Sequence, residues 1–162
     1  MPEKRRGGLT SEALTSLLRA RGRRSTRQRR AVYASLAGHA DHPTADRLLR
    51  DVRRRVPGLS LATVYKTLEV LVGVGAAGRI ADTDGVWRYD ARTDLHDHRR
   101  CVRCGRMEDV ELPHRPDRIA DMSGSGFRIT GYRLELLGHC VPCSRDDSPA
   151  TNVSQARKGE TE

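Results

Sequence analysis

Aromatic residues are scarce in this chain: 4% of 162 positions, with one Phe and one Trp, and only 36% of the residues are hydrophobic. So little apolar material excludes a large core, and a lean protein of this kind gains from a metal staple. No apolar run is long enough to span a bilayer, so no membrane partner is expected. The opening Met1-Pro-Glu-Lys-Arg-Arg-Gly-Gly lacks the apolar stretch of a signal peptide, which points to the cytoplasm. No nucleophile motif, Gly-rich phosphate loop or substrate-pocket signature appears, so the chain is not expected to be an enzyme. Its length allows one ordinary domain or two small ones.

Cysteine is confined to four positions, and their spacing is the most informative feature present. Cys101-Val-Arg-Cys104 and Cys140-Val-Pro-Cys143 are two CxxC pairs with 35 residues between them. A CxxC at a turn presents two thiolates to one ion, and two such knuckles complete the tetrahedral four-sulfur shell of structural zinc. Disulfides or a thioredoxin-like redox pair are the competing readings. A redox pair needs no duplicate, and no βαβ pattern surrounds either motif. A closed shell leaves no open coordination position, so this zinc holds the fold and does no chemistry.

Acidic charge is sparse in the first half. Residues 1–80 hold 17 Lys and Arg against 6 Asp and Glu, a net +11, whereas residues 81–162 hold 13 against 15, a net −2. An arginine-rich background would weight both halves alike. The asymmetry points to a polyanion partner for the first half, most simply double-stranded DNA.

The periodicities predict a basic arm over residues 1–9 and a helix over 11–20, with Leu14, Leu17 and Leu18 inward. Thr26 caps a helix over 27–37 with Ala31, Val32 and Leu36 inward, and Thr44 caps one over about 45–55 with Ala45, Leu48, Leu49 and Val52 inward. Pro57-Gly58 breaks the chain, and Ser60 caps a fourth helix over about 61–74. Residues 79–82 and 86–89 flank Thr83-Asp84-Gly85, a hairpin signal. Helices followed by a hairpin make the winged-helix plan, whose last helix enters the major groove. Beyond it, short strands are expected over 98–103 and 106–111, a short helix over 114–123, and a strand over 127–138 with a bulge near Gly131. Residues 144–162 read as a disordered tail.

His96-Asp97-His98 sets two imidazoles at i and i+2, on one face of a strand. Asp90, Asp94, Asp97, Glu108 and Asp109 lie close in sequence, and His42 precedes the third helix. A mixed nitrogen and oxygen shell suits ferrous iron or manganese better than structural zinc. His39 and His114 are read as surface residues, and His139 has no assigned role.

Six motifs then appear in order: Arg24-Ser-Thr-Arg-Gln-Arg-Arg-Ala-Val, His42-Pro-Thr-Ala-Asp, Leu59-Ser-Leu-Ala-Thr-Val-Tyr-Lys-Thr-Leu-Glu, Asp84-Gly-Val-Trp-Arg-Tyr-Asp, His96-Asp-His-Arg-Arg-Cys-Val-Arg-Cys-Gly, and Gly126-Phe with Gly138-His-Cys-Val-Pro-Cys. Over roughly residues 10–143 the chain resembles the ferric uptake regulator (Fur) superfamily of metal-dependent repressors. The resemblance implies an α+β homodimer: a winged-helix DNA-binding domain over 10–90 and an α/β dimerisation domain over 91–143 carrying the four-cysteine zinc. It implies a regulatory metal between the domains, held by His42, Asp90, His96, His98 and Asp109, with Glu108 as an alternative to Asp109. One ion then ties the halves together and selects the dimer whose helices match two DNA half-sites.

Asp at position 109 resembles the PerR-type peroxide sensors, where iron-sensing members generally carry Glu. Leu95 and Tyr132 stand where other branches often place further histidines. The resemblance therefore implies a repressor that senses hydrogen peroxide through iron-catalysed oxidation of His42 or His96. The alternative is an iron-, zinc- or nickel-responsive repressor of metal uptake. For DNA, Tyr65 and Lys66 are the expected major-groove readers, and Arg24 matches a minor-groove position, implying an AT-rich palindromic operator. Arg27, Arg29 and Arg30 suit phosphates. Thr63 and Thr67 are read as either helix-surface spacers or readers.

Overall fold

The computed structural model describes residues 8–81, 85–111 and 134–145. Residues 1–7 of the expected arm, the Thr83-Asp84 turn, the helix over 114–123, the bulge near Gly131, His114, Tyr132 and most of the tail lie outside the described residues.

Four helices open the chain: α1 (Ser11–Ala20), α2 (Arg27–Ala37), α3 (Ala45–Arg53) and α4 (Leu61–Gly73). Each begins at a hydroxyl cap in extended backbone. Thr10, Thr26, Thr44 and Ser60 accept from the amides of Ala13, Arg29, Arg47 and Thr63. Such a cap stabilises a helix by about 1 kcal/mol and sets its first residue sharply. Gly58 (φ 79°) and Gly75 (φ 77°) turn the chain before and after α4 in a conformation that side-chain-bearing residues resist.

The apolar stripes of the helices pack as one cluster. Leu14, Leu18, Val32, Leu36, Leu48, Val64, Leu68 and Leu71 are almost fully buried in it. Tyr33, not anticipated from the sequence, is buried there too, and its hydroxyl accepts from the Leu9 amide at 2.7 Å. Helix α3 stops two residues short of its expected end, with Arg54 as its cap.

The hairpin follows as β1 (Gly78–Ala81) and β2 (Trp87–Asp90), paired antiparallel from Gly78↔Asp90 to Ala81↔Trp87. The loop before α3 joins its edge: the Tyr89 amide donates to Pro43 O at 3.1 Å, and Thr44 bridges to Arg88. Four helices and this hairpin form the winged helix expected from the sequence.

A second sheet has the order β4-β3-β5, with β3 at Asp97–Cys101, β4 at Met107–Val110 and β5 at Glu135–Gly138. Strands β3 and β4 pair antiparallel, with His98 opposite Asp109. Strands β3 and β5 pair parallel, with Cys101 opposite Gly138. The parallel pairing was not legible in the sequence, because a crossover connection leaves no local turn signal. The chain then turns into a four-residue helix, α5 (Val141–Ser144).

Candidate metal centres

The four cysteines meet at one end of the second sheet. Cys101 ends β3, Cys104 sits in the following turn, Cys140 precedes α5 and Cys143 lies within it. The parallel register, extended by the Val102 amide donating to Gly138 O at 2.9 Å, brings both knuckles to the same edge. All four are free thiols, with no disulfide among the described residues. Cys104 Sγ and Cys140 Sγ are 3.6 Å apart. A tetrahedral shell with zinc–sulfur bonds of about 2.3 Å separates its sulfurs by about 3.8 Å, so the spacing fits zinc. The backbone amides of Cys140 and Cys104 pull the Cys101 thiol down to about 6, while hydrogen bonding with Cys140 and the other sulfurs pushes Cys143 up to about 12. Four thiolates at this range repel one another, and a cation that neutralises them removes the conflict.

The second centre lies between the helical half and the second sheet. It draws His42 from the loop before α3, Asp90 from the end of β2, His96 from just before β3, His98 from β3 and Asp109 from β4. One ligand atom from each lies within 4.8 Å of all the others. His42 Nε2 is 2.9 Å from Asp109 Oδ1 and 3.3 Å from Asp90 Oδ2, and His96 Nε2 is 2.9 Å from Asp90 Oδ2. The His98 ring meets those of His42 and His96 edge-on, with centroids 4.8 Å and 4.5 Å away.

The site fits a metal on chemical grounds. His42 Nε2, His96 Nε2, His98 Nε2 and Asp90 Oδ2 are all buried, and none has a partner in hydrogen-bonding geometry. Unsatisfied buried polar atoms are rare in folded proteins, and four that converge on one point call for a shared cation. The opposite ring nitrogens are already engaged: His42 Nδ1 donates to Met107 O at 3.3 Å and His96 Nδ1 to Asp94 O at 2.8 Å. That arrangement fixes the tautomer of the neutral rings and aims both Nε2 atoms into the cluster.

Charge is finely divided in this cluster. Burial pulls the His42 ring down, but Asp109 and Asp90 outweigh it and hold its pKa at about 9. Burial, then the neighbouring His42 and His96 rings, push His98 down to about 4. Burial raises Asp109, yet His42, His96 and Arg92 hold its carboxyl well below the usual range. The metal-free cluster therefore keeps a proton on His42 up to about pH 9, and an entering cation must displace it. Manganese affinity should rise about tenfold per pH unit between pH 7 and 9 and flatten above that. Titrations at pH 7 and 8 check the slope, and an equal affinity at both would contradict it.

Geometry separates the neighbouring carboxylates. Glu108 points to the opposite face of β4, where it pairs with Arg99 at 2.8 Å and Arg106 at 2.6 Å. Asp94 pairs with Arg92, and only Asp90 and Asp109 reach the histidines among the carboxylates described.

The expected DNA-contact residues are exposed. Tyr65 is 39% accessible on α4, with Lys66 beside it, and Arg24 is exposed ahead of α2. Thr67 is buried at 4% between the core turns of α4, so it is neither a surface spacer nor a reader. His39, read as a surface residue, is largely enclosed: its two ring nitrogens face Asp41 and Asp51. Asp41, two positions on, is the one local signal of that contact, since only the fold brings Asp51 back to the loop.

The model of the ferric uptake regulator family matches residues 20–137. The peroxide operon regulator of Bacillus subtilis is 33% identical over 139 residues, which span 85% of this chain and 94% of that protein. Among solved structures, a zinc-bound manganese uptake regulator superposes with a TM-score of 0.65 at 30% identity, over 79% of this chain and 98% of that one. The ferric uptake regulator of Helicobacter pylori aligns with a TM-score of 0.74 over 90% of this chain and 100% of that one; at 19% identity this is a likeness of fold alone.

Proposed function

The chain belongs to the ferric uptake regulator family, and from that premise we propose that it is a metal-dependent, DNA-binding transcriptional repressor that senses hydrogen peroxide. The observation that carries this reading is the cluster of three imidazoles and two carboxylates, in which the Nε2 atoms of all three rings and Asp90 Oδ2 are buried and unpartnered. The likeness to a peroxide operon regulator over nearly its whole length supports the stimulus.

His42, Asp90, His96, His98 and Asp109 would hold the regulatory ion, and the four cysteines would hold zinc. Bound ferrous iron would supply one-electron reduction of hydrogen peroxide beside its own ligands. His42 and His96 place their rings at that point and are the groups that would take up oxygen. A modified ring is a poorer ligand. Loss of His42 leaves Asp90 as the one proposed ligand from residues 10–90, the proposed DNA-binding domain, and loosens its tie to residues 91–143, the proposed dimerisation domain. The dimer then no longer presents its two α4 helices at the spacing of two half-sites. Tyr65 and Lys66 would read the major groove of an AT-rich palindrome, and Arg24 the minor groove. Nothing turns over, so this is a regulator rather than an enzyme, working in the cytoplasm.

A repressor of metal uptake is the second reading, favoured by the 30% identity to a solved manganese uptake regulator. One experiment separates the two. The purified dimer is loaded without oxygen with ferrous iron or with manganese, and operator binding is measured before and after brief peroxide. Loss of binding in the iron form alone, with one oxygen added at His42 or His96 by peptide mass spectrometry, is the expected result. Binding that follows metal concentration and ignores peroxide in both forms would leave the uptake regulator.

A further inference from the structure

The loop that carries His42 is clamped by a second histidine that touches none of the five clustered residues. His39 Nδ1 lies 3.1 Å from Asp41 Oδ1, and His39 Nε2 lies 2.8 Å from Asp51 Oδ2. Asp41 Oδ2 is 2.7 Å from Arg47 Nη1. Arg47 and Asp51 stand one turn apart on α3, so the loop is stapled to that helix at two points. On the other side, Arg88 Nη1 donates to His42 O at 3.2 Å and the Tyr89 amide donates to Pro43 O at 3.1 Å.

His42 needs this restraint. Its φ of 49° is the one positive value at a non-glycine among the described residues. A residue with a side chain rests in that left-handed region only where its surroundings impose it, and such strain gathers at functional sites. Released, the backbone would relax to negative φ and swing the imidazole away from Asp90 and Asp109.

We propose that His39, with Asp41 and Asp51, is a positioning device for the regulatory metal, holding His42 in its left-handed conformation so that Nε2 faces the other four ligands. His39 acts through His42 and contacts no ion. The idea rests on the metal site proposed above. It adds that the winged-helix half presents its one imidazole ligand in a preorganised state.

The test uses full-length, zinc-loaded protein and manganese, with free Mn(II) read by electron paramagnetic resonance. His39→Ala and the milder Asp51→Asn should each weaken manganese binding about tenfold, the lower end of what loss of a ligand's supporting residue costs. In a His42→Ala background, His39→Ala should have no further effect, because the clamp has nothing left to position. Zinc content and circular dichroism verify that each variant is folded. Manganese binding unchanged by either variant would overturn the inference, as would an equal loss with and without His42. Equal manganese binding by wild type and His96→Ala would instead sink the metal site itself, and this proposal with it.

Discussion

Stripping the zinc, or replacing Cys140 with Ser, should unfold the second sheet and dissociate the dimer while the helical half keeps its own unfolding transition. The distribution of the core requires this. The buried hydrophobic cluster is drawn from residues 14–91, all before β3. In the second sheet the buried hydrophobic residues among those described are Cys101 and Met107, while Leu136 and Leu137 on β5 are exposed. Among the described residues, three strands of four or five residues bury too little apolar surface to stand alone. What joins β3 to β5 at their ends is the four-sulfur cluster. Structural zinc in small domains contributes roughly 10–16 kcal/mol, comparable to the whole stability of a domain, so its loss is not offset elsewhere. Calorimetry should show one transition lost and one retained, with light scattering reporting a monomer. Two intact transitions and a dimer after complete zinc removal would refute the assignment.

His96→Ala should abolish metal-dependent operator binding, with manganese affinity falling at least a hundredfold and zinc content unchanged. Loss of a mere supporting residue around a metal costs up to about a hundredfold, and His96 is one of the proposed ligands. The cluster is also closely balanced. Removing His96 takes away the ring nitrogen 2.9 Å from Asp90 Oδ2 and leaves His42 Nε2 at 3.3 Å. The remaining His42, His98, Asp90 and Asp109 come from both halves, so some metal binding can persist, but with two imidazoles instead of three. Operator binding at saturating manganese separates weakened metal affinity from a lost conformational response. Full metal-dependent binding at wild-type concentrations would show that His96 is not a ligand.

Much of the helical half could be read directly from the residues. Helices α1 and α2 begin and end where hydroxyl caps and apolar spacing place them, because capping and amphipathic periodicity act within one turn of chain. The hairpin was legible for the same reason, through Asp84-Gly85 and the alternating residues that flank it. The two CxxC pairs and His96-Asp97-His98 declared metal chemistry by spacing alone.

Other features were not local. The choice of Asp109 over Glu108 follows from β3–β4 register, which sets Asp109 opposite His98 and turns Glu108 toward Arg99 and Arg106. Adjacent residues on a strand face opposite ways, so a one-residue difference decides everything, and register depends on a partner strand. His39 looked like a surface residue because Asp51, which holds it, lies twelve positions away across the α2–α3 turn.

The sequence by itself determined the helix starts, the hairpin, the four-sulfur cluster and the residue types of the regulatory site, since each depends on spacing that a short segment carries. Only the tertiary structure decided which carboxylates join the three imidazoles, that β5 runs parallel to β3, and that His42 is held in a strained conformation. Those outcomes depend on contacts between distant segments, whose geometry exists only once the two halves have packed together.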